Sequence, residues 1–218
     1  MSEVGLYEAM STLRAVRRLR PDPIPEDVLQ RVLEAATWAP TGGNRQPWRI
    51  VVVRNGDAKA RLATLYAERW KRFAGGYEKL MAGMPEEAAA ESRKMLDAGD
   101  YLADHFAATP AVLVFCFNPR DMAITDAKLD RISVVGGGSV YPAVQNLLLA
   151  CRAEGLGCTL TTLLCECESE VQALLGIPEG WGTACAIPIG YPQRSGHGPI
   201  RRRPVAKMVY GDHWGEAL

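Results

Sequence analysis

Two groups of arginines carry the clearest chemical potential in this chain. The first is Arg14, Arg17, Arg18 and Arg20, and the second is Arg201, Arg202 and Arg203, backed by Arg194 and Lys207. No acidic residue occurs from Gln193 to Val209. Lys+Arg and Asp+Glu both number 25, so each group is a local concentration of positive field in a neutral chain. Guanidinium forks match phosphate oxygens two at a time, although a solvated basic surface accounts for either group taken alone. Between them lies the loop Ala39-Pro40-Thr41-Gly42-Gly43-Asn44-Arg45-Gln46-Pro47-Trp48. Its glycines admit a ligand close to the backbone. The Asn44 and Gln46 amides each offer a donor and an acceptor, a set able to read the edge of a planar heterocycle. A helix stop followed by a polar-capped turn explains the same spacing.

Other chemistry-bearing residues read as structural. Cys165-Glu166-Cys167 falls short of the four ligands at paired spacing that a zinc site needs, and no metal site is expected. The six cysteines, in a chain with no signal-peptide core near Glu3 and Glu8, read as reduced thiols. His105 is expected to pack or cap, and His213 beside Trp214 to dock the C-terminus. Trp38 and Trp48 are expected mainly in the core.

The elements that must position these residues follow from periodicity. Leu6, Met10 and Leu13 predict a helix over residues 5 to 15. Pro25, Glu26 and Asp27 open a second helix with Val28, Leu29, Val32, Leu33 and Ala36 on one face. Arg49 to Arg54 reads as a buried strand, and Asn55-Gly56-Asp57 as a turn. Residues 58 to 106 read as helical with a break around Ala82 to Pro85. Strands are predicted over Ala111 to Phe117, Cys158 to Leu164 and Thr183 to Ile189. A helix capped by Ser139 carries Val140, Ala143, Val144, Leu147 and Leu148 and closes at Gly155. A short helix containing Val171 ends at Gly176.

Composition excludes whole classes. The chain is 48% hydrophobic and 23% charged, unlike a disordered segment. It lacks the basic excess of a dedicated nucleic-acid binder. The longest apolar run, Ala111 to Phe117, is too short to span a bilayer, so a cytoplasmic protein without membrane association is expected. Gly136-Gly137-Gly138 precedes a helix, but Tyr141 stands where a dinucleotide fingerprint needs its third glycine.

Taken together, Arg14-Ala15-Val16-Arg17-Arg18, Pro21-Asp22-Pro23-Ile24-Pro25 and the Pro40–Trp48 loop resemble the N-terminal signature of the FMN-dependent nitroreductase superfamily. Gln145-Asn146-Leu147-Leu148-Leu149-Ala150 with Gly155-Leu156-Gly157 resembles its central helix and following strand. Leu175-Gly176-Ile177-Pro178, Gly190-Tyr191-Pro192 and Arg202-Arg203-Pro204 resemble its C-terminal third. The resemblance covers about residues 6 to 215, except roughly 66 to 105. It implies one α+β domain over residues 1–218, with a mixed central sheet flanked by helices. It further implies an interlocked homodimer whose C-terminal extension wraps the partner.

The implied cofactor is FMN, with NAD(P)H as transient electron donor. The family's phosphate-gripping run falls on Arg14, Ala15, Val16 and Arg17. Ala15 replaces the usual serine, a loss of about 1 kcal/mol if uncompensated. Arg202 and Arg203 match the C-terminal basic pair. Pro40, Thr41, Gly42 and Asn44, supported by Gln46, would approach the flavin from the partner subunit. Leu160, Thr161, Thr162 and Leu163 match the flavin-facing strand end. No catalytic side chain is assigned. Residues 66–105 would form a helical lid whose aromatic and methionine side chains accept apolar or aromatic substrates. The implied reaction is ping-pong hydride transfer from NAD(P)H to nitroaromatic, quinone or activated-alkene acceptors. Relatives with specialised chemistry (reductive dehalogenases, azoline oxidases, a flavin-fragmenting enzyme) and a non-catalytic flavin-binding protein are the alternatives.

Overall fold

A computed structural model describes residues 4–218; Glu3 lies outside them. The chain runs α1 (Leu6–Thr12), α2 (Glu26–Thr37), β1 (Trp48–Val53), α3 (Gly56–Met81) and α4 (Glu86–His105). It continues through β2 (Ala111–Phe117), α5 (Tyr141–Ala153), β3 (Gly157–Cys158), α6 (Glu168–Leu175) and β4 (Gly182–Gly190). The sheet order is β1-β2-β4-β3, and every ladder is antiparallel. The parallel component of the expected mixed sheet is a single bridge, Ala15 to Cys158.

Alternation along β2 divides the interior in two. Ala111, Leu113 and Phe115 face a core built with α2 and α5. Val112, Val114 and Cys116 face a second core built with α3, α4 and α6. Side chains on successive strand residues point to opposite faces, and this sheet is covered on both. β4 is accordingly buried along its whole length, which explains why its sequence is continuously apolar rather than alternating.

Most predicted elements form within a residue or two of their expected bounds, and four differ for physical reasons. The first helix stops at Thr12, because residues 13–20 run extended: Val16 N–H donates to Cys158 C=O at 2.8 Å and Arg20 N–H to Tyr191 C=O at 2.8 Å. The strand expected over Cys158 to Leu164 ends at Cys158. Thr161 makes one further bridge to Ala186, and Leu163–Cys167 coils into a short 3-10 helix. Asn55 is a helix cap rather than a turn residue, accepting from Ala58 N–H at 2.9 Å. Ser139 does not cap α5. Val140 holds that position without a side-chain bond, and the serine hydroxyl is used elsewhere.

The segment expected as a lid is the α3–α4 hairpin. Its base belongs to the second core: Tyr66, Trp70, Leu96 and Leu102 are buried. Trp70 Nε1–H donates to Asp100 Oδ1 at 2.6 Å. Its ring lies over Gly99 so closely that a Cβ there would sit 1.9 Å from it. Phe73, Leu80 and the turn at Ala82 to Pro85 stand outside. Trp48 is buried, but Trp38 is exposed beside α1 and α5 rather than packed in the core. Trp214 is 91% exposed, so the C-terminus is not docked through it within this chain. Among the described residues no helix is long and apolar enough to cross a membrane.

Candidate functional site

The arginine run and the 159–163 segment are brought together by the backbone. Val16 N–H is taken by Cys158 C=O, and the Thr159 hydroxyl donates to Val16 C=O at 3.0 Å. Val16 is itself buried against Gly157 and Gly196, at both of which a Cβ would come within 3.0 Å of its side chain. Val16 therefore anchors the run, while Arg14 and Arg17 on either side remain available. Ala15 is exposed and offers no side-chain donor.

Arg17 and all four expected strand-end residues, Leu160, Thr161, Thr162 and Leu163, line one cavity of about 200 Å³. Tyr66, Trp70 and Phe73 from α3 and Met95 from α4 complete its wall. Burial lowers the pKa of the Arg17 guanidinium from its usual value, but arginine keeps its charge in proteins. Burial pushes the Tyr66 hydroxyl up to about 12, so it stays protonated beside Arg17 and Thr161. The Thr161 hydroxyl also accepts from Leu163 N–H at 3.3 Å, which fixes the bend after β3.

The C-terminal extension closes on the same place. Residues 191–200 run back along residues 11–20 of the same chain: Gln193 N–H donates to Arg18 C=O, Gly198 N–H to Thr12 C=O and Ile200 N–H to Ser11 C=O. Arg14 Nε donates to Pro199 C=O at 3.0 Å, and Arg201 pairs with Glu91 on α4 at 2.5 Å. Arg202 and Arg203 are exposed, and among the described residues Arg202 donates to its neighbour's carbonyl. Among the described residues, Arg14, Arg17, Arg202 and Arg203 have no carboxylate at ion-pair distance. Arg31, Arg54, Arg69 and Arg152 all have one.

The Pro40–Gln46 loop stands apart from this cavity within one chain. Gly42 N–H donates to Ser139 Oγ at 3.0 Å, and Gln46 N–H to Thr41 Oγ1 at 3.1 Å. Gln46 Nε2 donates to Asn44 Oδ1 at 3.3 Å, so the two amides are held in fixed register. Gly43, Asn44 and Gln46 all have positive φ, at 58°, 52° and 48°. Left-handed backbone at a non-glycine residue is uncommon, and asparagine is enriched there. A loop built on such conformations is held by its surroundings rather than by intrinsic preference.

Sequence reasoning missed Thr159, because its hydroxyl acts through a backbone carbonyl and no motif marks that. It also missed Asp126. This buried carboxylate accepts from Ser133 Oγ at 2.6 Å, Val134 N–H at 3.0 Å and Arg131 Nη1 at 2.8 Å, and so shapes the loop between β2 and α5. Those bonds hold its pKa down at about 2. His105 behaves as expected, with Nδ1 2.8 Å from Tyr101 C=O and the two rings stacked at 3.9 Å.

Known proteins are similar to this chain along most of its length. Residues 12–191 match the family described as "Nitroreductase family". An NADH dehydrogenase of Thermus thermophilus is 30% identical over 197 residues, covering 90% of each protein. A 5,6-dimethylbenzimidazole synthase of Rhodobacter capsulatus is 33% identical over 202 residues, covering 91% of this chain and 89% of that protein. A nitroreductase from Desulfitobacterium hafniense, solved with bound FMN, superimposes with a TM-score of 0.66 at 20% identity. That match covers 95% of this chain and 98% of the other. With residues 12–191 of its 218 matched by the family and the fold in agreement, this chain belongs to the nitroreductase family.

Proposed function

We propose that this protein is an FMN-dependent oxidoreductase that takes a hydride from NAD(P)H and reduces small aromatic or apolar acceptors. The observation that carries this reading is the cavity that joins a desolvated, acid-free Arg17 to the Leu160–Leu163 bend. A buried cation without a carboxylate partner is costly, and a phosphate-bearing, electron-accepting cofactor supplies the missing negative charge. The donor set fits FMN. Arg14 lies at the surface beside the tail for the phosphate, with Arg202 and Arg203 as exposed reserves. Arg17 is inside for the heterocycle, and Thr161 and Thr162 offer hydroxyls and backbone along one edge. Ala15 contributes no hydroxyl, so the phosphate is held by guanidinium groups and main chain.

When bound, FMN supplies the hydride-accepting chemistry that links a reduced nicotinamide to a second substrate in ping-pong fashion. The chain's own residues do the rest. The Arg17 charge favours added electron density on a neighbouring heterocycle. Tyr66, Trp70, Phe73 and Met95 exclude water from its apolar side. The α3–α4 hairpin tip, Phe73 to Met95, serves as the lid.

The cavity volume of about 200 Å³ in one chain is below the ~300–1,000 Å³ of complete ligand pockets. A second surface therefore completes it, and we assign that role to the partner's Pro40–Gln46 loop in a homodimer. Leu6, Tyr7, Met10 and Trp38 form an exposed apolar face on α1 and α2 suited to that association. The exposed residues 202–218 are the part of the C-terminal extension left to wrap the partner. A cytoplasmic setting agrees with reduced thiols.

The test is an anaerobic absorbance titration of the yellow protein with NADH and then NADPH. Bleaching of the flavin band is expected. A colourless protein that FMN cannot reconstitute overturns the cofactor assignment, and a yellow protein that neither donor bleaches overturns the electron donor. Removal of residues 74 to 98 should change the acceptor range while FMN stays bound.

A further inference from the structure

Tyr66 brings a hydroxyl from α3 to the Arg17 cavity. It is 2% exposed and lines the cavity together with Arg17 and the Thr159–Leu163 segment. Its ring stacks on Phe106 with centroids 4.7 Å apart and on Trp70 at 6.4 Å. Trp70 is pinned in turn by its bond to Asp100 Oδ1 at 2.6 Å. A ring clamped between two aromatic neighbours has no room to swing, so the phenolic oxygen has a fixed place on the wall.

The donors and acceptors around that oxygen set the direction of its bonds. The Thr159 hydroxyl donates to Val16 C=O at 3.0 Å. The Thr161 oxygen accepts from Leu163 N–H at 3.3 Å, and its own proton faces the Tyr66 oxygen. Arg17 has donors only. The Tyr66 proton is therefore left for a group inside the cavity. Burial pushes the hydroxyl up to about 12, so it remains a donor across the neutral range. The series Leu163 N–H, Thr161 O–H, Tyr66 O–H runs head to tail, and hydrogen bonds in such a series strengthen one another. Among the described residues no acidic side chain lines the cavity. Arg17 and Tyr66 thus both favour an acceptor, and the more so as that acceptor gains negative charge.

We propose that the Tyr66 hydroxyl is a hydrogen-bond donor to the bound cofactor and favours its two-electron-reduced form over the oxidised one. This rests on the FMN reading above. Reduction adds electron density to the flavin heterocycle, and a hydrogen bond that is neutral towards the oxidised form becomes charge-assisted towards the reduced one.

Tyr66→Phe removes the hydroxyl and keeps the ring between Phe106 and Trp70. Apoprotein of the parent and of the variant is titrated with oxidised FMN and, anaerobically, with FMN reduced by dithionite, with no nicotinamide or acceptor present. Relative to oxidised FMN, reduced FMN should bind the variant about tenfold more weakly than it binds the parent. For a two-electron couple a tenfold change is a fall of about 30 mV in the midpoint potential of the bound flavin, which equilibration with a redox dye reads independently.

A tyrosine needed only for packing would weaken both forms alike. FMN binding with an unchanged ratio and an unchanged potential therefore overturns this proposal and leaves the cofactor reading standing. A parent protein that binds FMN in neither form overturns both. Site-specific 3-fluorotyrosine at position 66 covers the case in which Tyr66→Phe does not fold. The fluorinated phenol is a stronger donor of nearly the same size, so the midpoint potential should rise above the parent's, and an equal or lower potential overturns the proposal.

Discussion

The backbone N–H of Gly42 donates to the hydroxyl of Ser139 at 3.0 Å, across 97 residues of chain. It ties the strained Thr41–Gln46 loop to the entrance of α5. Removing the hydroxyl with Ser139→Ala leaves the loop held by the Thr41–Gln46 and Asn44–Gln46 bonds. One neutral hydrogen bond is worth about 1 kcal/mol, so FMN affinity should fall by roughly fivefold. Fluorescence titration of apoprotein with FMN measures this, and an unchanged Kd would detach the loop from the cofactor.

Arg17 should matter more. Its guanidinium is half-buried, without an acidic partner, on the cavity wall. Charge-assisted hydrogen bonds contribute about 1.5–3 kcal/mol, so Arg17→Gln should weaken FMN binding by on the order of 10- to 100-fold. The melting temperature of the apoprotein should not fall, because no ion pair is broken. Comparable retention of FMN by this variant through gel filtration would remove Arg17 from the site.

Gly99 tests the packing beneath the lid. A methyl at this position meets the Trp70 ring at 1.9 Å, with no flexible side-chain end to give way. Overpacking costs about 1–3 kcal/mol. For a chain of this size that lowers the Tm by roughly 2–12 °C. Gly99→Ala followed by thermal denaturation decides the matter. A parallel loss of the Trp70–Asp100 hydrogen bond should appear as a shift in tryptophan fluorescence.

Asp126 supplies a pH dependence with a definite sign. Its folded pKa, about 2, lies below the ordinary carboxylate value near 3.9. Its bonds therefore stabilise the loop fully above about pH 4, and this contribution fades as pH falls towards 2. Asp126→Asn should lower the Tm at neutral pH, and the gap to the parent should close progressively between pH 4 and pH 2. A gap that stays constant through that range would mean that the charge is not what the loop uses.

The long elements were legible because burial imposes a period. β2 matched its sequence limits at Ala111 and Phe117, and α2 followed its apolar stripe. What the sequence concealed was held by contacts between distant segments. The helix pattern of Leu6, Met10 and Leu13 continues past Thr12, yet the chain straightens there because Cys158 and Tyr191 offer backbone partners. The strand expected to reach Leu164 stops at Cys158, since the run Leu160 to Leu164 is apolar enough for a strand but must turn to form a cavity wall. Ser139 had the right type and place for a cap and was drawn instead to Gly42.

The candidate site was legible through its arginines and the Leu160–Leu163 stretch, both carried by family resemblance. The resemblance also implied a lid of aromatic and methionine side chains over residues 66–105, but not the division of Tyr66, Trp70, Phe73 and Met95 between core and cavity. Thr159 and Asp126 act through backbone groups, and side-chain type alone does not announce such a role.

The order β1-β2-β4-β3 has a consequence for how the molecule is made. β4, which pairs with both β2 and β3, occupies residues 182–190 and is the last strand to be synthesised. During translation, β1 and β2 can meet as a two-stranded ribbon while β3 still lacks its neighbour. Two-stranded ribbons are marginally stable on their own. The bridge from Thr161 to Ala186, which sets the bend beside Arg17, must also wait for β4. Contacts between remote segments form slowly, so the cavity wall proposed to receive the cofactor is completed only after residue 190 has left the ribosome. A nascent chain halted before that point should show no affinity for FMN.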